Sequence, residues 1–422
     1  MGSLLTNDPI AWLYGLQSHG VKLGLDGIRA LLTLLDHPER AYPTTLVGGT
    51  NGKGSVSAML DAMLAASGRR SGLYTSPHLV RPNERIRISG EDVSDSEFHR
   101  VLGFVRAACE RGLAGGELGA HPSFFEVMTA AALCAFRDAG VDAAVLEVGL
   151  GGRLDATNAT EPLVSAIVTV SLDHLETLGT TLKAIALEKT GIVRAGRPLV
   201  SGVVQPDVVA VIRSRCDALG ATWIDARKAK LPSGVRLSLD GTHQRDNARV
   251  AVATFQAFSQ ELGHAPASRA IRRGLETARW PGRLQLVLGA PSILLDGAHN
   301  VAGAEALAAH LALRGGPKPV LLFAAMADKN LSGILGPLVP HIASVVATQP
   351  GVTRAADSKD VAAAARALGL PAGAEPDPAR ALEKARALAG PGGLVLVAGS
   401  LYLVGAVTAV LEGGSPPGPM SM

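Results

Sequence analysis

A glycine-rich run with one lysine inside it is the first stretch of this chain whose residue types suggest chemistry. It lies between an apolar run, 45–47, and an amphipathic run, 56–66, and it reads Gly48, Gly49, Thr50, Asn51, Gly52, Lys53, Gly54, Ser55. Glycines in a strand-to-helix turn let backbone N–H groups approach an anion, and the helix N-terminus adds a positive dipole. Because Lys53 adds a full charge and Ser55 a hydroxyl, the run predicts a site for a nucleotide phosphate and its Mg²⁺.

The run departs from the usual phosphate-loop pattern, which has glycine at position 47 and Ser or Thr directly after the lysine. Val47 and Gly54 stand at those positions. The alternative is an ordinary glycine-rich turn between a strand and a helix. That alternative gives no packing reason for Lys53, so we favour the phosphate-binding interpretation.

Three polar side chains follow or end other apolar runs that predict buried strands: Ser76, Glu147 and His174. Ligands of open α/β sheets bind at the carboxyl ends of the strands. A hydroxyl, a carboxylate and an imidazole at that edge suit a Mg²⁺ ion whose remaining ligands are water and phosphate. Singly, each residue is better explained as a surface or hydrogen-bonded group; together they predict a metal site.

The segment 147–158 is dense in glycine and polar residues directly after a predicted strand, and it contains Arg153, Leu154 and Asp155. A loop of this composition suits close approach to a ligand. Lys189 lies near the end of a predicted helix. From physical reasoning alone we interpret it as a solvated lysine favoured by the helix dipole.

Predicted strands and helices alternate along the chain, which indicates an α/β fold. The length of 422 residues indicates more than one domain. The rhythm restarts after 280–284, with strands predicted at 292–296, 319–324, 342–347 and 393–398. We therefore predict a doubly wound phosphate-loop domain at 1–287 and a smaller Rossmann-like α/β domain at 288–422. A strand-like patch is predicted around 233–240.

Composition excludes several classes of protein. The net charge is only +3, and no basic run with interleaved aromatic residues is present, so nucleic acid is not an expected partner. No apolar run is long enough to cross a membrane, and no secretory leader is recognisable. The three cysteines, Cys109, Cys134 and Cys216, are scattered, which is typical of a reducing compartment. We expect a cytoplasmic monomer.

The chain resembles the folylpolyglutamate synthase/dihydrofolate synthase family of the Mur ligase superfamily. The resemblance rests on segments in the family's order along nearly the whole chain: 49–55, 75–79, 147–158, 173–174, 188–192, 280–283 and 296–300. It is most specific at 147–158. The irregular phosphate loop is itself the form found in this family.

The resemblance implies an ATP-dependent ligase that phosphorylates a folate-type carboxylate and joins it to the amino group of L-glutamate. It implies Mg²⁺ ligands at Ser76, Glu147 and His174, and nucleotide contacts at 50–55, Asn247, Arg283 and Asp296. His299 and Ser400 match positions near the glutamate, and Lys53, Lys189 and His299 match catalytic positions. Lys189 matches a lysine that superfamily members carbamylate, which reverses the interpretation from physical reasoning. Whether this lysine is carbamylated, and whether a monovalent cation binds, stay open.

The resemblance also implies a pterin site. It would be formed by Leu23 and Gly24, by Ser123, Phe124, Phe125 and Glu126, and by Arg153, Leu154 and Asp155. Lys22 stands where the family often has Asp, which leaves that contact in doubt. The resemblance implies a folate acceptor, and whether dihydropteroate is a second acceptor stays open.

Two other functions stay open from the sequence. One is a different Mur-type ligase that adds an amino acid to a peptidoglycan precursor. The other is a phosphate-loop kinase or switch, which would hydrolyse ATP or phosphorylate a partner without making an amide.

Overall fold

The structure, a computed structural model, describes residues 8–19 and 24–414, and contacts divide the chain into two compact units. The first consists of the described residues up to Pro77, Asn83–Ser238 and Gln244–Arg279. The second consists of His78–Pro82, Leu239–His243 and the described residues from Trp280 onward. Each unit contains one sheet.

The sheet of the first unit is formed by β1 (Thr44–Gly48), β2 (Ser71–Tyr74), β3 (Ile86–Ile88), β4 (Glu91–Asp92), β5 (Ala143–Glu147), β6 (Val164–Ile167), β7 (Leu199–Ser201) and β8 (Trp223–Asp225). Their order is β4-β3-β2-β5-β1-β6-β7-β8. The strands from β2 to β8 in this order run parallel, and β3 and β4 form an antiparallel edge. Parallel strands are normally covered on both faces, and β1 and β5 are accordingly buried at every position.

The central strands end at one edge of this sheet. Val47 of β1 is aligned with Glu147 of β5, and Gly48 is aligned with Ile167 of β6. β2 runs parallel to β5 in register through Tyr74. The segments that follow these four strands therefore lie side by side, which is where ligands of such sheets bind.

The helices of the first unit are α1 (Pro9–Gly15), α2 (Asp26–Leu34), α3 (Lys53–Ala66), α4 (Asp95–Gly115), α5 (Phe124–Asp138), α6 (Leu175–Leu178), α7 (Leu182–Lys189), α8 (Pro206–Ala218), α9 (Gln244–Glu261) and α10 (Ser268–Thr277). α3 contacts β1, β2 and β5 as well as α9 and α10, so it is buried along most of its length. A helix enclosed in this way needs apolar or small residues on nearly every face.

The sheet of the second unit is formed by β9 (Gln285–Val287), β10 (Ser292–Leu295), β11 (Val320–Phe323), β12 (Ser344–Ala347), β13 (Ala372–Ala374) and β14 (Leu394–Ala398). Its order is β13-β12-β11-β14-β10-β9, and only β9 is antiparallel to its neighbour. The helices are α11 (Val301–Arg314), α12 (Leu331–Leu335), α13 (Ser358–Ala367), α14 (Pro378–Ala389) and α15 (Leu401–Leu411). The predicted α/β fold class is confirmed.

Side chains of β11 alternate between two cores. Leu321 and Phe323 belong to one apolar cluster, and Val320 and Leu322 belong to another. Such alternation follows from the two-residue period of a strand whose faces are both covered. The predicted first domain includes residues 285–287, whereas these residues pair with β10 as β9 of this unit's sheet.

The strand-like patch predicted at 233–240 is wrong, because the structure describes those residues as turns, bends and irregular chain. Their backbone is held from a helix end: Ser238 N donates to Leu275 O over 3.0 Å. In the described part of the chain, no helix combines the length and apolarity that crossing a bilayer requires.

Candidate active site

The phosphate loop joins β1 to α3, as the sequence predicts. Gly52 is the residue before the helix and has φ 83°, a left-handed conformation that glycine adopts without a steric penalty. The helix begins at Lys53, so the first backbone N–H groups of α3 have no partner within the helix. A helix start of this kind suits the binding of an anion, and this supports phosphate binding by residues 52–55 of the loop.

The two residues before Gly52 have their backbone N–H groups engaged elsewhere. Thr50 N donates to Thr169 O over 2.8 Å, and Asn51 N donates to Thr169 Oγ1 over 2.9 Å. Thr50 and Asn51, which the sequence predicts as nucleotide contacts, therefore hold the loop to the segment after β6. Their direct contact with a nucleotide stays a prediction.

Two lysines converge on one carbonyl oxygen of the loop. Lys189 Nζ donates to Gly49 O over 2.9 Å, and Lys53 Nζ donates to the same oxygen over 3.2 Å. Burial, with the charge of Lys53 as a second cause, lowers the pKa of Lys189 to about 7. Lys189 is only 3% exposed, so its interpretation as a solvated lysine at a helix end is wrong.

The predicted metal ligands follow three of the four neighbouring strands. Glu147 ends β5, is buried, and accepts a hydrogen bond from Ser76 N over 3.1 Å, which brings the first two residues together. His174 lies after β6, with an exposed side chain and φ 51°. Within 8–19 and 24–414, no three His, Cys, Asp or Glu side chains are grouped to hold a metal. The oxygen donors of Ser76 and Glu147 nevertheless fit Mg²⁺, which takes its other ligands from water and phosphate.

The loop after β5 folds around a buried carboxylate. Asp155 Oδ2 accepts from Leu150 N over 2.8 Å, and Oδ1 accepts from Thr157 N over 3.1 Å and from Thr157 Oγ1. Burial raises the pKa of Asp155. Arg153 is exposed and pairs with Glu188 of α7, and Leu154 is half-buried. Asp155 therefore shapes the loop, and substrate contact by these three residues stays a prediction.

The segment 123–126 forms the start of α5. Ser123 and Glu126 make a reciprocal capping box, in which Glu126 Oε2 accepts from Ser123 N over 2.7 Å. Phe124 and Phe125 are half-buried, with ring centroids 5.8 Å from Tyr14 and 6.1 Å from Tyr74 respectively. Of the other predicted pterin contacts, Leu23 lies outside the described residues and Gly24 inside them.

Asn247 lies in the first turn of α9, beside the phosphate loop. Its Nδ2 donates to Gln244 Oε1 over 2.9 Å, and Gln244 Nε2 donates to Ser55 Oγ over 3.3 Å. A Cβ atom on Gly52 would lie 2.5 Å from Asn247 Oδ1, so the two residues are in close contact. The structure thus brings Asn247 to the predicted nucleotide site, although the sequence separates them widely.

In the second unit, the predicted residues gather at the carboxyl ends of β10 and β14. Both oxygens of Asp296 accept backbone hydrogen bonds, from Leu284 N over 3.0 Å and from Ala298 N over 2.9 Å. Asn300 and Ser400 cap α11 and α15, where their side chains accept from Gly303 N and Tyr402 N. Asp296, Asn300 and Ser400 therefore stabilise the turns of this edge, whatever they bind.

His299 and Arg283 lie at the same edge. His299 Nδ1 is 2.8 Å from Gly297 O, and since a carbonyl oxygen only accepts, Nδ1 bears the hydrogen in the neutral ring. Nε2 is then the basic nitrogen. A Cβ atom on Gly297 would lie 2.5 Å from Arg283 Nη1, so the guanidinium extends across this turn.

The sequence does not indicate residues whose roles depend on contacts between distant segments. Thr169 holds the phosphate loop. Arg194 donates to Asn158 Oδ1, and Asn158 Nδ2 donates to both Arg153 O and Gly191 O, which joins the loop after β5 to the end of α7. Arg85 is buried with its guanidinium 5.1 Å from the centre of the Phe124 ring. Of these residues, Arg85 is the one that the sequence could have indicated, since apolar residues close to it in the chain predict burial.

Comparison with known proteins identifies relatives of the whole chain. A family model described as Mur ligase, glutamate ligase domain, matches residues 282–401. The dihydrofolate synthase/folylpolyglutamate synthase of Bacillus subtilis is 34% identical over 420 residues, covering 94% of this chain and 97% of that protein.

Solved structures agree with this relationship. Escherichia coli FolC in complex with DHPP and ADP has a TM-score of 0.85 and 29% identity, covering 98% of this chain and 99% of its own. A bifunctional folylpolyglutamate synthase/dihydrofolate synthase with Mn, AMPPNP and L-glutamate bound has a TM-score of 0.85 and 31% identity, covering 96% and 98%. On this similarity along nearly its whole length, the chain belongs to the dihydrofolate synthase/folylpolyglutamate synthase family.

Proposed function

We propose that this chain is an ATP-dependent ligase that joins L-glutamate to folates through an acyl phosphate. The observation that supports this most directly is the phosphate loop of β1, with Lys53, at the same sheet edge as Ser76 and Glu147. The relatives support the same activity, since their structures contain ADP or AMPPNP, a divalent metal, DHPP and L-glutamate.

The chemistry explains why a phosphate loop serves amide synthesis. A carboxylate is a poor electrophile, so an oxygen of the folate carboxylate attacks the γ-phosphorus of ATP and ADP leaves. The glutamate amine then attacks the acyl carbon, and phosphate leaves with the oxygen that had attacked. In the first step Lys53 would donate to phosphate oxygens instead of to Gly49 O, which stabilises the charge that develops there.

Ser76, Glu147 and His174 are the residues that we propose as Mg²⁺ ligands. Bound Mg²⁺ supplies charge neutralisation for the triphosphate. Glu147 is suited to this role because it is a buried carboxylate oriented by Ser76 N. The presence of Mn in a related structure supports a divalent ion.

Lys189 is proposed as a carbamylated residue. Its pKa of about 7 leaves a substantial fraction of neutral amine, the form that adds to CO₂ and releases a proton to give a carbamate anion. The positive charge of Lys53 disfavours an ammonium at this position and favours an anion. Both effects support carbamylation of Lys189. The proposed steps of the ligation do not depend on a monovalent cation.

The second unit is proposed to hold the glutamate and part of the nucleotide. We propose that His299 accepts a proton from the glutamate amine through Nε2, and that Ser400 at the neighbouring strand end contacts the glutamate. Arg283 and Asp296 are the proposed nucleotide contacts of this unit. We assign the phosphate loop and the pterin site to the first unit, and glutamate binding to the second.

The proposed acceptor is a reduced folate, with dihydropteroate as a second acceptor. Segment 123–126, Arg153, Leu154 and Asp155 are the proposed pterin contacts, together with Leu23 and Gly24. The aromatic rings of Phe124 and Phe125 support this, because a pterin ring stacks on such side chains. We further propose a cytoplasmic monomer that requires neither nucleic acid nor a membrane.

An acceptor panel tests this function. The chain is incubated with ATP, Mg²⁺ and L-glutamate, and with a reduced folate, dihydropteroate or a UDP-linked peptidoglycan precursor, while ADP and product mass are followed. We expect ADP release that requires glutamate and a folate-type acceptor, with a glutamyl product. Turnover of the UDP-linked precursor would support the other Mur-type activity, and ADP release without an amide would support a kinase or switch.

A further inference from the structure

The segment that follows β6 is bonded to the phosphate loop through two threonine hydroxyls, that of Thr169 in the segment and that of Thr50 in the loop. Thr169 Oγ1 accepts from Asn51 N over 2.9 Å and donates to Asn51 O over 3.0 Å. Thr50 Oγ1 accepts from Ser171 N over 3.0 Å and donates to Ser171 O over 3.2 Å. Each hydroxyl thus binds both backbone groups of one residue across the gap between β1 and β6.

This geometry fixes the orientation of the residue before Gly52. Because Thr169 holds both the N–H and the C=O of Asn51, the peptide units on either side of Asn51 cannot rotate freely. Gly52 follows directly, and α3 begins at Lys53. The direction of the first N–H groups of α3, which are the predicted phosphate donors, therefore depends on Thr169.

The same segment continues toward the proposed metal site. Ser171 is followed by Asp173 and His174, and Asp173 Oδ1 accepts from His174 N over 2.9 Å. A bond between 50–51 and 169–171 consequently fixes the distance between the phosphate loop and the segment that contains His174.

We infer that Thr169 is a positioning residue, whose hydroxyl holds the phosphate loop in the conformation that binds ATP. It acts through Asn51 and touches neither ATP nor the reacting atoms. The inference rests on the proposed use of this loop for ATP. Its test therefore measures nucleotide binding separately from ligation.

The test compares Thr169→Val, which keeps the shape and removes the hydroxyl, with Thr169→Ser, which keeps the hydroxyl. The dissociation constants of ATP and ADP are measured by titration calorimetry, and KM and kcat by ADP release. Loss of two hydrogen bonds should raise Kd and the KM for ATP about tenfold in Thr169→Val, with a smaller change in kcat. Thr169→Ser should stay within about twofold of the wild type.

Thr254→Val is the matched control. Thr254 is buried in α9, and its hydroxyl donates only within its own helix, to Val250 O over 2.7 Å. This variant should lose thermal stability and keep the wild-type Kd for ATP. If Thr169→Val does not fold, Thr169→Cys replaces it, because a thiol is a weak hydrogen-bond partner.

The results separate the two proposals. Wild-type affinity in folded Thr169→Val, or equal losses in Thr169→Val and Thr169→Ser, would overturn the positioning role and leave the ligase proposal intact. A wild-type chain that binds no ATP would overturn both. Weakened affinity in Thr169→Val that Thr169→Ser restores, with Thr254→Val unaffected, supports the positioning role.

Discussion

Two lysine side chains in the first unit's site donate to the same carbonyl oxygen, and the charge of Lys53 affects the protonation of Lys189. Lys53 and Lys189 both donate to Gly49 O, and burial together with this neighbouring charge lowers the pKa of Lys189 to about 7. A nearby positive charge disfavours a second ammonium, so its removal must raise that pKa. Burial is the larger cause of the lowered pKa of Lys189, and the charge of Lys53 lowers it further.

We predict that Lys53→Met raises the pKa of Lys189 above about 7, since the repulsion is lost. NMR titration of isotopically labelled lysine side chains measures this without depending on reagent access. Lys53→Arg, which keeps the charge, is the control and should leave the titration of Lys189 near its wild-type position. An unchanged midpoint in Lys53→Met would show that burial alone sets this pKa.

Asp61 is a buried ionisable residue, like Lys189, but we expect it to affect the stability of the fold and not the reaction. It lies in α3, and burial raises its pKa. Since the folded-state pKa lies above the unfolded one, the favourable contribution of the neutral form is present at low pH and is lost as pH rises through the folded pKa.

Replacing Asp61 with Asn should therefore stabilise the chain at high pH relative to the wild type, by on the order of 1 kcal/mol, and less at low pH. Urea unfolding at about pH 5 and about pH 8 measures the difference between the two proteins at each pH. A difference that stays the same at both values, or that grows toward low pH, would contradict this explanation.

At the scale of elements, the loop after β5 and the end of α7 meet without space for side chains. A Cβ atom on Gly191 would lie 2.4 Å from Arg153 Cα, and Arg153 N donates to Glu188 O over 2.9 Å. Asn158 binds both segments through Arg153 O and Gly191 O. This contact holds the helix that ends at Lys189 against the proposed substrate loop.

We predict that Gly191→Ala forces the two segments apart, costs about 1–3 kcal/mol of stability and lowers ligation at least about tenfold. Gly103→Ala is the matched control, because Gly103 lies in α4 with open space around it and should gain about 0.5–1 kcal/mol. Urea unfolding and ADP release measure both variants. Equal stability of Gly191→Ala and Gly103→Ala would contradict the close packing described here.

The sequence predicts an element well when the interactions that determine it are local in the chain. The phosphate loop is predictable because its strand, glycines, lysine and helix are contiguous, and the carboxyl-edge position of Glu147 follows from its place after a buried run. The burial of Lys189 was not predictable, because it depends on Gly49, far away in the chain. The local pattern of 233–240 predicts a strand, because such a pattern cannot show that Ser238 bonds to the end of α10 instead.

At the scale of the whole molecule, each compact unit presents polar residues at the carboxyl edge of its own parallel strands. In the first unit these residues suit phosphate and a metal ion; in the second, His299 and the capped helix starts lie after β10 and β14. The family matches extend over both units, which explains why one chain contains both sets. We propose that the two sets serve a single reaction, with an acyl phosphate between ATP cleavage and amide formation.

Transfer of oxygen from the carboxylate to phosphate distinguishes this reaction from one without an acyl phosphate. A folate with both oxygens of the reacting carboxylate replaced by a heavy isotope is incubated with the chain, ATP, Mg²⁺ and L-glutamate, and the released phosphate is analysed by mass spectrometry. We predict one labelled oxygen in the phosphate for each amide formed, because the attacking oxygen leaves with the phosphoryl group. Amide formation with unlabelled phosphate would contradict the acyl phosphate, and labelled phosphate without glutamate-dependent amide would contradict the ligase.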